Sequence, residues 1–172
     1  MKSTRVPGSF FQRNVLDVAP ELLGKLVVRQ FSDGTIHRYL ITETEAYDGN
    51  GDLACHASKG KTPRTEVMFR EGGLVYVYLI YGMYWMLNIV TGVEDEASAV
   101  LIRGLEGISG PGRVGKSLQL NKSFYGENLF NSERIWIEDA EKVLKFTVSP
   151  RIGIDYAGEP WVSKPWRYVA VI

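Results

Sequence analysis

The run Tyr76-Val77-Tyr78-Leu79-Ile80-Tyr81-Gly82-Met83-Tyr84-Trp85 constrains the fold more than any other part of the chain. It is apolar or aromatic throughout except at Gly82, so it reads as two strands joined by a hairpin turn at Tyr81-Gly82-Met83. Unbroken apolarity on both faces marks Leu74 to Ile80 and about Tyr84 to Val90 as central strands of a sheet. The turn then holds a phenol and a thioether, Tyr81 and Met83, out in solvent, and exposed apolar tips usually touch a partner.

The segments around the hairpin supply the rest of a sheet. A short helix is expected near Val15 to Leu23, stopped by Gly24, followed by a strand from Lys25 to Phe31 and a turn at Asp33-Gly34. The next strand, Ile36 to Glu45, alternates so that His37, Tyr39, Ile41, Glu43 and Glu45 share one face, with Tyr47 in phase beyond it. Glu43 and Glu45 therefore point the same way, roughly 7 Å apart. Asp48 to Gly60 reads as a loop, and Thr62-Pro63 as the N-cap and first residue of a helix reaching Phe69. Further strands are expected at Ala99 to Arg103, Ile135 to Ile137 and Phe146 to Val148, with a helix from Pro111 to Leu120. The predicted fold class is mixed α/β (α+β): one domain over residues 1–172, with a mostly antiparallel sheet, surrounding helices and a protruding β-hairpin.

A chain of 172 residues, 45% hydrophobic, can bury one sizeable core. The first twelve residues lack an apolar run of signal length, and no window approaches a membrane span, so a soluble, cytoplasmic protein is expected. Cys55 is the sole cysteine, which excludes an intrachain disulfide. With only His37 and His56 available, structural zinc is not expected. Twenty basic residues balance twenty acidic ones. That argues against holding nucleic acid by bulk charge, but leaves room for a basic face built from Lys59, Lys61 and Arg64 or from Arg113, Lys116 and Lys122.

The chemistry concentrates between Glu43 and Asn88. Glu45, at a strand end facing the loop that carries His56, could act as a general base, or simply pair with an arginine such as Arg103. Tyr47, His56 and Tyr78 are flat side chains with hydrogen-bonding tips, suited to sandwiching a heteroaromatic ring, although each alone could be core packing. Asn88 is an amide inside an apolar run, either satisfied structurally or lining a pocket. Together, an aromatic pocket, a carboxylate and an exposed wedge would meet the needs of an enzyme acting on a base extruded from a duplex. A competing reading is a hydrolase with a metal held by Glu43, Glu45, Asp48, Asp52 and His56, but no paired-histidine spacing accompanies them. A noncatalytic nucleic-acid-binding domain is a second alternative.

The motifs resemble those of the alkyladenine (3-methyladenine, or methylpurine) DNA glycosylases of the mammalian type. They comprise Glu43 to Tyr47, His56, Thr62-Pro63-Arg64, Met68-Phe69, Tyr76 to Tyr84, Asn88, Leu101 to Arg103, Gly110 to Gly112, Asn121-Lys122-Ser123, Arg151 to Gly153, Ala157-Gly158 and Lys164-Pro165. They run in order across nearly the whole chain.

The resemblance implies a monofunctional enzyme of base excision repair that hydrolyses the N-glycosidic bond of damaged purines in double-stranded DNA. By this carry-over Glu45 activates water and Arg103 helps hold it. Tyr47, His56 and Tyr78 surround the flipped base, and Asn88 disfavours guanine by crowding its exocyclic amine. Ile154 lines the pocket through the Arg-x-Gly-x segment. Tyr81 enters the minor groove with Met83 beside it, and Arg64 and Lys122 contact DNA. The implied protein is a monomer needing no metal or other cofactor. It leaves an abasic site for downstream processing enzymes and works in the cytoplasm of a bacterium or the nucleus of a eukaryote. One carboxylate can suffice, because a purine alkylated at N3 or N7 is already a good leaving group. No lysine stands where a Schiff-base nucleophile is expected, so lyase activity is not anticipated. Neutral net charge predicts a modest basic face with strong salt sensitivity, and without an N-terminal extension, partners recruited by such a tail are not expected.

Overall fold

The computed structural model describes residues 4–140 and 145–172. Its centre is an antiparallel sheet of nine strands. They are β1 Leu26–Gln30, β2 Ile36–Tyr47, β3 Val75–Ile80, β4 Tyr84–Thr91, β5 Ser98–Leu105, β6 Ile108–Ser109, β7 Ile135–Glu138, β8 Phe146–Ser149 and β9 Arg167–Ala170. The main path runs β3-β4-β5-β2-β1-β7, with β6 beside β5, β9 on β2 and β8 on β9. Short helices α1 (Gly8–Phe11), α2 (Val15–Glu21) and α3 (Pro111–Ser117) flank it. Among the described residues no helix is long and apolar enough to cross a membrane.

Local chemistry explains the helices. The Asn14 side chain accepts from the Leu16 N–H, capping α2, which buries Val15, Val18 and Ala19. Pro111 opens α3 at a position where its missing N–H costs nothing. Gly115 lets α3 ride directly on β4, since a Cβ there would lie 1.8 Å from the Trp85 carbonyl oxygen.

Period-two alternation divides the strands between two faces. Val75, Val77, Leu87, Ile89, Val100 and Ile102 join residues of α2 and α3 in the main core. On the opposite face Tyr76, Val90 and Ala99 pack with Cys55, Val67 and Met68 from the 48–70 region. Burial on both faces accounts for the apolar run at 74–80, but β3 is the edge of the main path and not a central strand as expected. Its first residues are covered by the 126–129 segment, where the Val75 carbonyl accepts from the Gly126 N–H at 2.8 Å and Leu74 bridges Asn128.

β2 departs from simple alternation. Its pairing with β5 shifts register between Ile41 and Glu43 and again between Glu43 and Thr44. Ile41 and Ala46 consequently belong to the main core, and the Thr44 hydroxyl bonds the Ala19 carbonyl on that same side. Glu43, Glu45 and Tyr47 remain together on the other face, so the expected single face for residues 37 to 47 is broken at the irregularity.

Other boundaries differ too. Residues 62–69 form a turn and one 3₁₀ turn, Glu66–Phe69, instead of a continuous helix. The Thr65 hydroxyl bonds the Gly60 carbonyl and the Thr62 N–H, holding the chain in a tight turn. The loop after Asp48 contains a 3₁₀ turn, His56–Lys59. α3 ends at Ser117, short of Leu120, with Gln119 at φ 51. β5 extends past both predicted ends, and α1, β6 and β9 had no sequence expectation.

Candidate active site

The face of the sheet turned away from α2 and α3 forms the floor of a cavity of about 390 Å³. Alternate residues of neighbouring strands line it: Tyr76, Tyr78 and Ile80 from β3, Met86 and Asn88 from β4, Ala99, Leu101 and Arg103 from β5. Tyr47, His56, Arg64, Met68, Tyr81, Pro111, Tyr156 and the 152–154 segment complete its walls. The volume falls within the range of small-molecule pockets, roughly 300 to 1,000 Å³.

Glu45 lies behind this wall with no solvent exposure. Its Oε1 accepts from the Tyr47 hydroxyl at 2.8 Å and from Arg103 Nη1 at 3.3 Å, and its Oε2 from the Ile152 N–H at 2.7 Å. Burial pushes the carboxyl above its ordinary range, while Arg103, the Ile152 amide and Tyr47 pull against that rise. A carboxylate offers about four acceptor sites, so three donors leave room for one more. The Tyr47 phenol is held well above its ordinary value, by burial first and then by Glu45, and so stays a donor. Glu43 accepts from Arg167 Nη1 at 3.0 Å on the same oxygen that lies 3.4 Å from Arg103 Nε. Arg103 is thus gripped between two glutamates.

The other end of the cavity is aromatic. The His56 ring meets Tyr78 edge-on at 4.6 Å, and its Nδ1 lies 3.0 Å from the Tyr76 hydroxyl. Burial, aided by the positive charges of Arg64 and Lys59, brings the imidazole down to about 4, so it is neutral at pH 7. Burial raises the Tyr76 phenol to about 12 and raises that of Tyr78 as well. The Arg64 guanidinium sits over the Tyr78 ring at 5.3 Å. Asn88 is buried, pairs with Tyr76 across the hairpin, and donates to the Tyr76 carbonyl at 3.2 Å. Ile154 is buried with Ala54 and Ala157 against Tyr47 and Trp161.

The hairpin tip stands at the mouth. Tyr81 is 89% exposed at φ 54, a left-handed conformation unusual for a bulky residue, and Met83 is 64% exposed. The structure therefore gathers Tyr47, His56, Arg64, Tyr78, Tyr81, Asn88, Arg103 and Ile154 around one cavity, with Glu45 at its back. Met83 and Lys122 are not in its walls; Lys122 opens a separate 3₁₀ turn, Lys122–Phe124.

Three hydrogen-bonding groups of the cavity wall escaped the sequence reading. The phase that Tyr76 shares with Tyr78 could have flagged it as the partner of His56. Tyr156, whose hydroxyl bonds the Ala54 carbonyl at 2.9 Å, carried no pattern signal. The Ile152 amide is a backbone group, to which side-chain patterns are blind. The acidic residues considered as metal donors are otherwise engaged: both oxygens of Asp52 bind Arg151, and Glu43 binds Arg167. Among the described residues no group of three His, Cys, Asp or Glu side chains converges.

An antiparallel sheet whose exposed face is an aromatic cavity backed by one hidden carboxylate has the geometry to hold a flat ring beside a potential base. Comparison with known proteins sharpens this. The family model described as Methylpurine-DNA glycosylase (MPG) matches residues 9–109 and 106–171. A protein of Methanocella arvoryzae named "Putative 3-methyladenine DNA glycosylase" is 42% identical, the match covering 95% of this chain and 90% of the relative. Proteins of the same name from Psychrobacter cryohalolentis (39% identical, covering 97% and 92%) and Myxococcus xanthus (44%, covering 94% and 88%) are similar over comparable lengths. The chain belongs to the methylpurine-DNA glycosylase family, and it is a DNA glycosylase, an enzyme of DNA repair that acts on DNA. These relatives are archaeal and bacterial, so the resemblance holds for the family and not for its mammalian type in particular.

Proposed function

We propose that the protein extrudes an alkylated or deaminated purine from duplex DNA into the cavity and hydrolyses its N-glycosidic bond. Extrusion costs a few kcal/mol of unstacking, and Tyr81 fills the vacated space. The base enters between Tyr47 on one side and His56 and Tyr78 on the other. Water held by Glu45 and Arg103 attacks C1′ as the C1′–N bond breaks. A purine alkylated at N3 or N7 takes the bonding electron pair and departs neutral, a deaminated one takes the pair together with a proton from solvent, and Glu45 receives the proton of the water. The same carboxylate stabilises the oxocarbenium charge that develops on the sugar.

The observation that carries this reading is the buried Glu45 carboxylate, fixed by Tyr47, Arg103 and the Ile152 amide directly behind an aromatic cavity. Among the described residues no lysine lines that cavity, which supports a monofunctional enzyme leaving an intact abasic site. The enzyme acts as a monomer wherever the genome lies, and abasic-site processing enzymes consume its product.

The test is to incubate the protein and a Glu45→Gln variant, in chelator, with a duplex containing one hypoxanthine and with randomly methylated DNA. Free base and alkali-cleavable sites are then measured. Release by the parent protein and not by the variant is expected; equal release by both would remove Glu45 from the chemistry.

A further inference from the structure

We propose that Arg151 is a positioning residue for base release: it fastens the 151–154 segment to β2 so that the Ile152 amide meets Glu45, and it places a second guanidinium behind the carboxylate. The inference rests on the reading of Glu45 given above.

Arg151 is 5% exposed, and its side chain is fully enclosed. It forms a two-pronged pair with Asp52, Nη1 to Oδ2 at 2.6 Å and Nη2 to Oδ1 at 3.0 Å. Nη1 also donates to the Ala46 carbonyl at 3.0 Å, between Glu45 and Tyr47 on β2. The guanidinium lies between two rings, 4.8 Å from the centre of Tyr47 and 5.0 Å from that of Trp166. One residue further along, the Ile152 N–H reaches Glu45 Oε2 at 2.7 Å. The side chain of Arg151 and the amide of Ile152 thus seize β2 at consecutive residues, Ala46 and Glu45, while the ring of Tyr47 is clamped next to them. A planar fork with fixed donor geometry makes all these contacts at once, which a lysine ammonium could not.

Energetics favour a working role over a merely structural one. A buried ion pair adds little net stability compared with apolar residues of the same size. Here it sets the distance between a backbone donor and the carboxylate, a quantity to which rate is steep: a displacement of about 1 Å can cost on the order of a hundredfold. Its charge also helps keep Glu45 ionised. The other groups facing Glu45 are Tyr47 on β2, Arg103 on β5, Arg167 opposite it on β9, Glu43, and the phenols of Tyr78 and Tyr156. Removing Arg151 leaves Arg103 as the nearest cation, so the carboxyl should rise further.

The test uses the whole chain with Arg151→Met and Asp52→Asn combined, which removes both charges and leaves none buried alone, and Arg151→Lys, which keeps the charge without the fork. The single-turnover rate of base release is measured against pH, and the Ile152 amide resonance is followed through the Glu45 titration, assigned by its loss in Glu45→Gln. In the double variant release is expected to fall about 10- to 100-fold. Its acid limb should move to higher pH, and the Ile152 amide should cease to follow Glu45. Arg151→Lys should keep the acid limb near that of the parent while the rate stays low. An unchanged rate and acid limb in the folded double variant, or an Ile152 amide that still titrates as before, would overturn the inference. If the parent protein releases no base, the proposed function fails instead, and the amide titration still decides whether Arg151 positions Ile152.

Discussion

The Tyr47 hydroxyl donates to Glu45 Oε1 at 2.8 Å from two residues further along the same strand, so the aromatic wall and the carboxylate cannot be placed independently. Tyr47→Phe keeps the ring and removes one of three donors. A hydrogen bond to a charged group contributes about 1.5 to 3 kcal/mol, so base release at pH 7 should drop about tenfold or more. The carboxyl, already raised by burial, should rise further and carry the acid limb of the rate profile to higher pH. Single-turnover release between pH 5 and 9 checks this; an unmoved acid limb would mean that the phenol does not tune Glu45.

His56 ties stability to pH. Its folded value, about 4, lies below its ordinary 6.5, so the unfolded chain binds the proton more readily. The stability held by keeping the ring neutral is complete above about 6.5 and is lost as pH falls from there towards 4, by on the order of 2 to 3 kcal/mol. Urea midpoints at pH 7, 6, 5 and 4.5 should fall more steeply for the parent than for His56→Gln. Parallel curves would show that His56 titrates normally.

At the hairpin tip, Tyr81 combines 89% exposure with a left-handed backbone. Tyr81→Gly suits that conformation and should leave the thermal midpoint level or slightly higher, since relief of about 1 kcal/mol offsets the added chain entropy. Binding to a lesion-containing duplex should weaken, while binding to the same single strand should not. Equal loss on both would end the wedge role, and a lower midpoint would remove the strain argument.

Asn88 stands on the cavity floor with its amide tethered to the Tyr76 carbonyl. Asn88→Ser opens space beside the purine, so excision of guanine-type bases should rise relative to adenine-type ones. Competition between the two in one duplex pool measures the ratio; a constant ratio would confine Asn88 to holding the hairpin.

Wherever side chains alternate without interruption, the sequence was a good guide. The hairpin, its exposed Tyr81 and Met83, and the shared face of Glu43, Glu45 and Tyr47 all follow from a period of two. Reading failed where pairing rather than pattern decides. The register shift at Glu43 turns Ile41 to the opposite face, and β3 is apolar on both sides yet lies at the sheet edge. Residues 62–69 carry capping signals, but hydroxyl bonds from Thr62 and Thr65 hold them in tight turns. In the site, Arg103 could be matched to Glu45 because a charge ending an apolar strand wants a partner. The Ile152 amide could not, because its approach depends on a buried Arg151–Asp52 pair between residues 99 positions apart.

Glu45 sits on a strand hydrogen-bonded to β5 and β9, in the middle of the widest part of the sheet, whereas Tyr81 sits on a two-strand projection at the edge. Amide protons around Glu45 should exchange with solvent only through whole-molecule opening, and those near Tyr81 through local fraying. On the proposed reading, DNA would meet a weakly anchored projection, while the carboxylate is kept on a strand paired on both sides. Under that proposal, a search along a duplex could deform the hairpin many times over without disturbing the alignment at Glu45.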